Sequence, residues 1–275
     1  MDEIIDEILK SKKFSRLGKN YVKSVVKQLY DSEELSNKKE FKALLKKVKD
    51  FLHKTYTVYQ ISNQKKKEYL LGKILKSKSD EELEELHSKI LHCHSSTRER
   101  KEIYSDMYEE IFRNIKQPKH LLDFGCGINV FSLPQIGFKN FEYIGMDTGK
   151  EDVKQINAYL KFSKKKYGFS GKGIEINAFE KYYFKQIPKN KFDVCFLLKM
   201  ADVLDYGRRD HKKTEEFITK VNAKNIVVSF PTRTISNRKM NNPRRNWFEL
   251  MIKRLKYKIS YFELYNECFY IVNKN

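Results

Sequence analysis

Apolar residues recur at helical spacing through the first ninety positions. Ile4, Ile5, Ile8 and Leu9 fall on one helical face, as do Val22, Val25, Val26 and Leu29. Further periodic segments run from Phe41 to Leu52 and from Tyr69 to Leu75, and Ser79 with Glu82 forms a capping box that opens another short helix. No proline precedes Pro118, which suits an uninterrupted helical start. Ser96 with Glu99 is a second capping box and predicts a helix running to Ile115. From His120 the texture changes. LLDFGCG, YIGMD, DVCFLL and NIVVSF are continuous apolar runs with helical or loop segments between them, the pattern of parallel strands covered on both faces. The closing run, ISYFELYNECFYIVN, predicts two antiparallel strands around Asn266. The expected architecture is an all-helical domain over 1–92 followed by an α/β, Rossmann-like domain over 93–275.

Charge adds a partner class. The 275 residues carry 56 Lys+Arg against 36 Asp+Glu, a formal net charge of +20. The excess is concentrated before residue 80 and again over 205–258, with the acidic patch Asp80, Glu81, Glu82, Glu84 and Glu85 lying between. Two basic regions of this kind are suited to clamp a polyanion, for which RNA is the leading candidate; solvated surface lysines are the plainer alternative. No run of apolar residues is long enough to span a bilayer, and MDEIIDEILKSKK lacks the order of a secretory signal. Cys93, Cys126, Cys195 and Cys268 are scattered without a CxxC pair. The expectation is a cytoplasmic protein with no disulfide, no metal and no membrane association.

The sharpest chemical signal is Asp123-Phe124-Gly125-Cys126-Gly127, directly after a strand-like run. Glycines there let the backbone turn and approach a ligand where a Cβ would collide. The third glycine of a dinucleotide fingerprint is missing, and so is the Gly-Lys-Ser/Thr of a P-loop. The D-x-G-x-G form is that of S-adenosylmethionine (SAM) binding in class I methyltransferases. Asp147 ends the next strand, where a carboxylate can accept hydrogen bonds from both ribose hydroxyls. The fourth strand lacks a following Pro-Pro, and Cys195 lies inside it as packing rather than as a nucleophile. An acceptor that is already nucleophilic, such as guanine N7, needs neither device and no general base, only positioning.

These residues resemble the Arm/Rmt group of aminoglycoside-resistance 16S rRNA guanine-N7 methyltransferases. Four stretches carry the resemblance: Leu91 to Arg100 (LHCHSSTRER), Leu122 to Asn129 with Leu133-Pro134, Phe196 to Met200 with Val203-Leu204, and Val228 to Arg233 followed by Trp247-Phe248-Glu249. The family implies SAM as cofactor (S-adenosylhomocysteine as product) and the decoding region of the small ribosomal subunit as substrate. It implies that Arg100 holds the SAM carboxylate, that Asp123, Gly125 and Gly127 shape the methionine site, and that Asp147 binds the ribose. Asn177 and Ala178 would flank the adenine, while Leu197, Leu198 and Lys199 would line the site beside the methyl group. RNA contacts are expected from Lys12, Lys13, Arg16, Lys46, Lys47, Lys65, Lys66 and Lys67 on the helical domain. The basic loop adds Arg233, Arg238, Met240, Arg244 and Arg245. That loop departs from the family's glycine-rich pattern, leaving another RNA guanine, or a non-catalytic RNA-binding protein, as alternatives. Nothing in the sequence demands a dimer, so a monomer is expected.

Overall fold

The computed structural model describes residues 1–30, 37–207, 210–234 and 238–274. Helices α1 (Asp2–Leu9), α2 (Lys19–Leu29) and α3 (Lys38–Thr55) present the apolar faces that their periodicity predicts. Ile4, Val22, Val26, Val48 and Phe51 meet in one core, which also takes in Phe179, from the loop after one sheet strand, and Val203, from the short helix after another. Helices α4 (Gln64–Ile74) and α5 (Asp80–Leu91) belong elsewhere, since Leu71, Ile74, Leu86 and Ile90 pack into the core on one face of the sheet. The helical first third is thus divided between two cores, both shared with the α/β portion.

Of the two capping boxes, the first forms in half: Ser79 Oγ accepts from the Glu82 N–H at 3.3 Å, while the Glu82 carboxylate accepts from Ser77 Oγ at 2.5 Å. The second does not. Helix α6 (Ser95–Arg100) begins at Ser95 without a side-chain cap, and Glu99 turns away to the ammonium of Lys199. A tight turn at Lys101–Ile103 then interrupts the helix before α7 (Tyr104–Phe112) resumes it. The demands of buried charge override the local helical preference.

The sheet has seven strands, β1 (His120–Phe124), β2 (Glu142–Asp147), β3 (Ser170–Glu175), β4 (Phe192–Leu198), β5 (Ala223–Pro231), β6 (Lys258–Leu264) and β7 (Glu267–Asn273), in the order β3-β2-β1-β4-β5-β7-β6. The first five are parallel, and β7 pairs antiparallel with both β5 and β6. Helix α8 (Lys150–Lys166) connects β2 to β3, α9 (Ala201–Leu204) and α10 (Lys212–Lys220) lie between β4 and β5, and α11 (Asn246–Arg254) precedes β6. Strand order reverses at β1, so a crevice opens at the carboxyl ends of β1 and β4. Strand β3, Ser-Gly-Lys-Gly-Ile-Glu, is too polar and glycine-rich to be predicted as a strand. It forms because Gly171 lies against the neighbouring backbone, where a Cβ would sit 1.8 Å from the Tyr143 carbonyl oxygen. The side chain of Asn157 on α8 also bonds both the N–H and the C=O of Gly173.

One expected RNA contact is corrected here. Lys67 is 1% exposed and ion-paired with Asp152 of α8, itself 3% exposed. Gln60 completes the group, accepting from Lys67 Nζ at 3.2 Å and donating to Asp152 Oδ2 at 3.4 Å. Lys67 lies on the inner face of α4, four positions before Leu71, and so faces the sheet domain rather than solvent. Removing one member of such a pair strands a buried charge. Lys67→Met or Asp152→Leu alone is expected to cost about 3–5 kcal/mol, and the double substitution much less, in urea unfolding.

Candidate functional site

The crevice is built from the carboxyl ends of four strands. After β1 the chain passes through Gly125 (φ +75°) and Gly127 (φ +50°), both left-handed. A Cβ on Gly125 would lie 2.3 Å from Met200 Sδ, and one on Gly127 would meet the His94 ring at 3.4 Å. At the end of β2 the Asp147 carboxylate accepts from Gly127 N (2.8 Å) and Gly149 N (2.9 Å), tying two loops together. Asp147 stays half-buried, with its remaining lone pairs available to a ligand. Burial, with Asp152 nearby, pushes its carboxyl above the usual range, although the two N–H donors oppose the shift. Ile176, Ala178 and Phe179 follow β3, Leu198 ends β4, and Lys199 and Met200 follow it.

These loops form only half of the cleft. The other walls come from the helical portion: Tyr21, Thr55, Tyr56, Tyr59 and Gln60, then His94 and Ser96. The His94 ring stacks on Tyr59, with centroids 5.7 Å apart and planes 7° from parallel, and its Nδ1 bonds Ser96 Oγ at 3.0 Å. Burial, reinforced by Lys67, Arg100 and Lys199, lowers its pKa to about 3, so the ring is neutral at physiological pH.

Beneath the cleft lies a buried charge cluster. Arg100 (2% exposed) sets its Nε 3.0 Å from both carboxylate oxygens of Glu267 on β7. Lys199 Nζ reaches Glu267 Oε2 at 3.2 Å and also pairs with Glu99. Burial opposes ionisation of Glu267, but Arg100 and Lys199 together hold its carboxyl below the usual range. Lys199 adopts φ +57°, held by hydrogen bonds from its own N–H to Ser229 O (3.1 Å) and Oγ (3.0 Å).

Among the residues expected to hold the cofactor, Gly125, Gly127, Asp147 and Ala178 line the cleft, as do Leu198 and Lys199 beside them. Others do not reach it. Asp123 is 1% exposed and braces the loop from behind, accepting from Asn129 Nδ2 and Tyr143 OH, each at 2.8 Å. Burial moves its carboxyl up to about 6. The Asn177 side chain bonds Ser24 Oγ at 3.0 Å and the Phe179 N–H at 3.1 Å, so it fixes a wall instead of flanking a ligand. Leu197 is a correction: alternation along β4 sends it into the core on the opposite face from Leu198. Arg100 lies behind the wall. Its Nη2 lies 2.9 Å from Glu267 Oε1 within the same ion pair.

Of the expected RNA contacts, Lys12, Lys13, Arg16, Lys46, Lys47, Lys65 and Lys66 are exposed. In the basic loop Arg238 is exposed, Arg244 pairs with Glu249 and covers the Tyr261 ring, and Arg233 bonds Asn266. Arg245 is corrected, because its guanidinium is spent on folding the loop. It donates to the carbonyls of Pro243 and Pro231, each at 3.0 Å, and contacts Met240 Sδ. Ser236 and Asn237 lie outside the described residues. The sequence reading missed Tyr21, Thr55, Tyr56, Tyr59, Gln60, His94 and Glu267. Only His94 carried a signal, as the residue preceding Ser95-Ser96-Thr97.

Comparison with known proteins agrees with this geometry. The profile of the family described as "Ribosomal RNA methyltransferase (FmrO)" matches residues 10–271. This chain belongs to that family. It is 29% identical over 251 residues to a 16S rRNA (guanine(1405)-N(7))-methyltransferase of Proteus mirabilis, an alignment spanning 86% of this chain and 83% of the relative. A namesake from Micromonospora echinospora is 25% identical over 280 residues, 100% of this chain and 97% of its own. Among solved structures, the 16S rRNA methylase ArmA is 29% identical with a TM-score of 0.57, covering 77% of this chain and 98% of that one. RmtF, crystallised with S-adenosyl-L-homocysteine, shares the fold at a TM-score of 0.72, with 20% identity and coverage of 100% and 98%. The family is thus a class I, Rossmann-like methyltransferase family that uses SAM, and the cleft fits that cofactor. Two glycines with left-handed backbone turn the loop, a half-open carboxylate accepts, and an apolar wall follows β3.

Glu267 is central to the geometry. Glu267→Gln leaves Arg100 and Lys199 buried with half their compensation, and is expected to cost about 3–5 kcal/mol in chemical denaturation.

Proposed function

We propose that this chain transfers the methyl group of SAM to N7 of a guanine in the decoding region of 16S rRNA within the assembled small subunit, acting as a cytoplasmic monomer, and that the modification confers aminoglycoside resistance. The observation that carries the choice of N7 is that no side chain lining the cleft, among the described residues, is equipped to remove a proton. His94 is held neutral with a pKa of about 3, Lys199 is tied between two carboxylates, and Asp147 is committed to two backbone donors and, in this reading, to the ribose. A guanine N7 has a free lone pair and no proton to lose, so positioning suffices.

When bound, SAM supplies an electrophilic sulfonium methyl. In this reading Asp147 accepts from the ribose hydroxyls, and Ala178, Ile176 and Phe179 flank the adenine. Arg100, behind the wall and paired with Glu267, lends positive charge toward the carboxylate. Leu198 provides an apolar wall that favours loss of the sulfonium charge as the methyl leaves. Exposed lysines of the helical portion dock on rRNA phosphates and helix shape, and the loop carrying Arg238, Met240 and Arg244 covers an extruded guanine. The altered basic loop favours, as second reading, the same chemistry on another RNA.

Methyl transfer to small subunits, naked rRNA and tRNA in parallel, followed by aniline cleavage, tests this. One cleavage in the decoding region, with subunits preferred, is expected; label in tRNA moves the target, and no label on any RNA contradicts the reading. A second expectation follows from Asp147. Its raised pKa means that acid removes the ribose acceptor sooner than for an ordinary aspartate. SAM affinity in calorimetry should fall as the solution is acidified, a dependence that Asp147→Asn removes while lowering affinity about tenfold or more throughout.

A further inference from the structure

Strands β6 and β7 are joined by a two-residue turn, Tyr265-Asn266, with Leu264 paired to Glu267 across it. Because β7 runs antiparallel to β5, with Glu267 opposite Pro231, the turn lies at the carboxyl edge of the sheet, where the cofactor cleft opens. Two hydrogen bonds fasten it to the basic loop. The Thr232 N–H donates to Asn266 O at 2.8 Å, and Arg233 Nε donates to Asn266 Oδ1 at 2.6 Å. Glu267, the residue that follows, pairs with Arg100 and Lys199 beneath the cleft. No more than about 7 Å of chain therefore separates Tyr265 from that cluster.

Tyr265 is an unexpected occupant of this position. Its backbone is left-handed (φ +53°), and the first residue of a two-residue hairpin loop with positive φ is ordinarily Gly, Asn or Asp. A bulky side chain there costs stability. Packing returns little of that cost. The ring is 77% exposed, the highest value for a large apolar side chain among the described residues, and it makes no ring contact or hydrogen bond among them. Lys199, also left-handed, differs in being fixed by its charge partners. Nothing inside the described chain accounts for a strained, exposed ring beside the basic loop, so its contact is sought outside.

We propose that Tyr265 stacks on an unpaired base of the RNA substrate, next to the guanine delivered to the cleft. The inference rests on the rRNA-methyltransferase reading and deepens it. Extruding one nucleotide takes a stacking partner from its neighbours, and an aromatic face at the rim of the cleft replaces part of what is lost. A phenol ring does this for any base and without charge. The bonds from Thr232 and Arg233 to Asn266 hold the ring in register with the basic loop. One connected edge thus covers the guanine and supports the base beside it.

The test compares full-length Tyr265→Gly and Tyr265→Phe with the wild type. Glycine accepts the left-handed backbone, so Tyr265→Gly is expected to melt no lower than the wild type and to keep its SAM affinity in calorimetry. Its kcat/KM for methylation of small subunits is expected to fall about tenfold. Tyr265→Phe keeps the ring and is expected to stay within about twofold of the wild type. The salt dependence of subunit affinity should be the same in all three, because stacking displaces no counterions. Undiminished methylation by Tyr265→Gly would overturn the proposal. So would a lowered melting temperature in that variant, which makes the ring a packing residue. An equal loss in Tyr265→Phe, or a changed salt dependence, would overturn it as well. Wild-type methylation of subunits, run alongside, separates the two readings: an active wild type with an indifferent Tyr265→Gly sinks only the stacking contact.

Discussion

Glu267 lies between two cations, Arg100 and Lys199, with all three groups nearly sealed from solvent. Its carboxylate joins three parts of the chain that are distant in sequence: the segment that leads out of the helical portion, the exit of β4, and the start of β7. Bringing three charges out of water is costly, and the arrangement persists only because each is compensated by another. That requirement explains local features that propensity alone does not. The helix from Ser95 stops at Arg100, Glu99 abandons its capping role, and Lys199 takes a left-handed backbone that places its ammonium over Glu267. The loop after β4 is therefore set by electrostatics as much as by the sheet.

The same cluster places the helical portion against the sheet. With Arg100 fixed, the preceding His94 is carried to the Gly127 turn, and Tyr59 stacks behind it. Lys67, Asp152 and Gln60 make a second buried polar tie on the far side of the cleft. Two ties, one on each side, hold the tyrosine-lined wall over the glycine loop. The cleft therefore exists only in the assembled chain, and the helical portion contributes to the site itself as well as to the basic surface.

Much of this was legible in the sequence. The 3.6-residue periodicity of the first ninety positions, the apolar strands from His120 onward, and the Asp147 carboxylate at a strand end each follow from local pattern. Strand β3 was not legible, because its polar, glycine-rich sequence is held by neighbours and not by its own propensity. Lys67 read as a solvated lysine because its neighbours Lys65 and Lys66 are, and only the partner 85 positions away shows otherwise. Leu197 and Leu198 are indistinguishable in sequence, and the face of the sheet separates them. Arg245 likewise differs from Arg244 only through carbonyls brought near by the loop. Tyr21, Tyr56 and Tyr59 were hidden for the same reason: a tyrosine facing a ligand and one facing a core share one helical spacing.

Hydrogen exchange with and without S-adenosylhomocysteine tests most directly whether the cleft is built jointly by the two portions. The account predicts added protection in the sheet loops at 124–127, 146–149 and 176–179 and, in the same experiment, in the helical segments at 55–60 and 94–96. Protection confined to the sheet loops, with the helical segments unchanged, would contradict it.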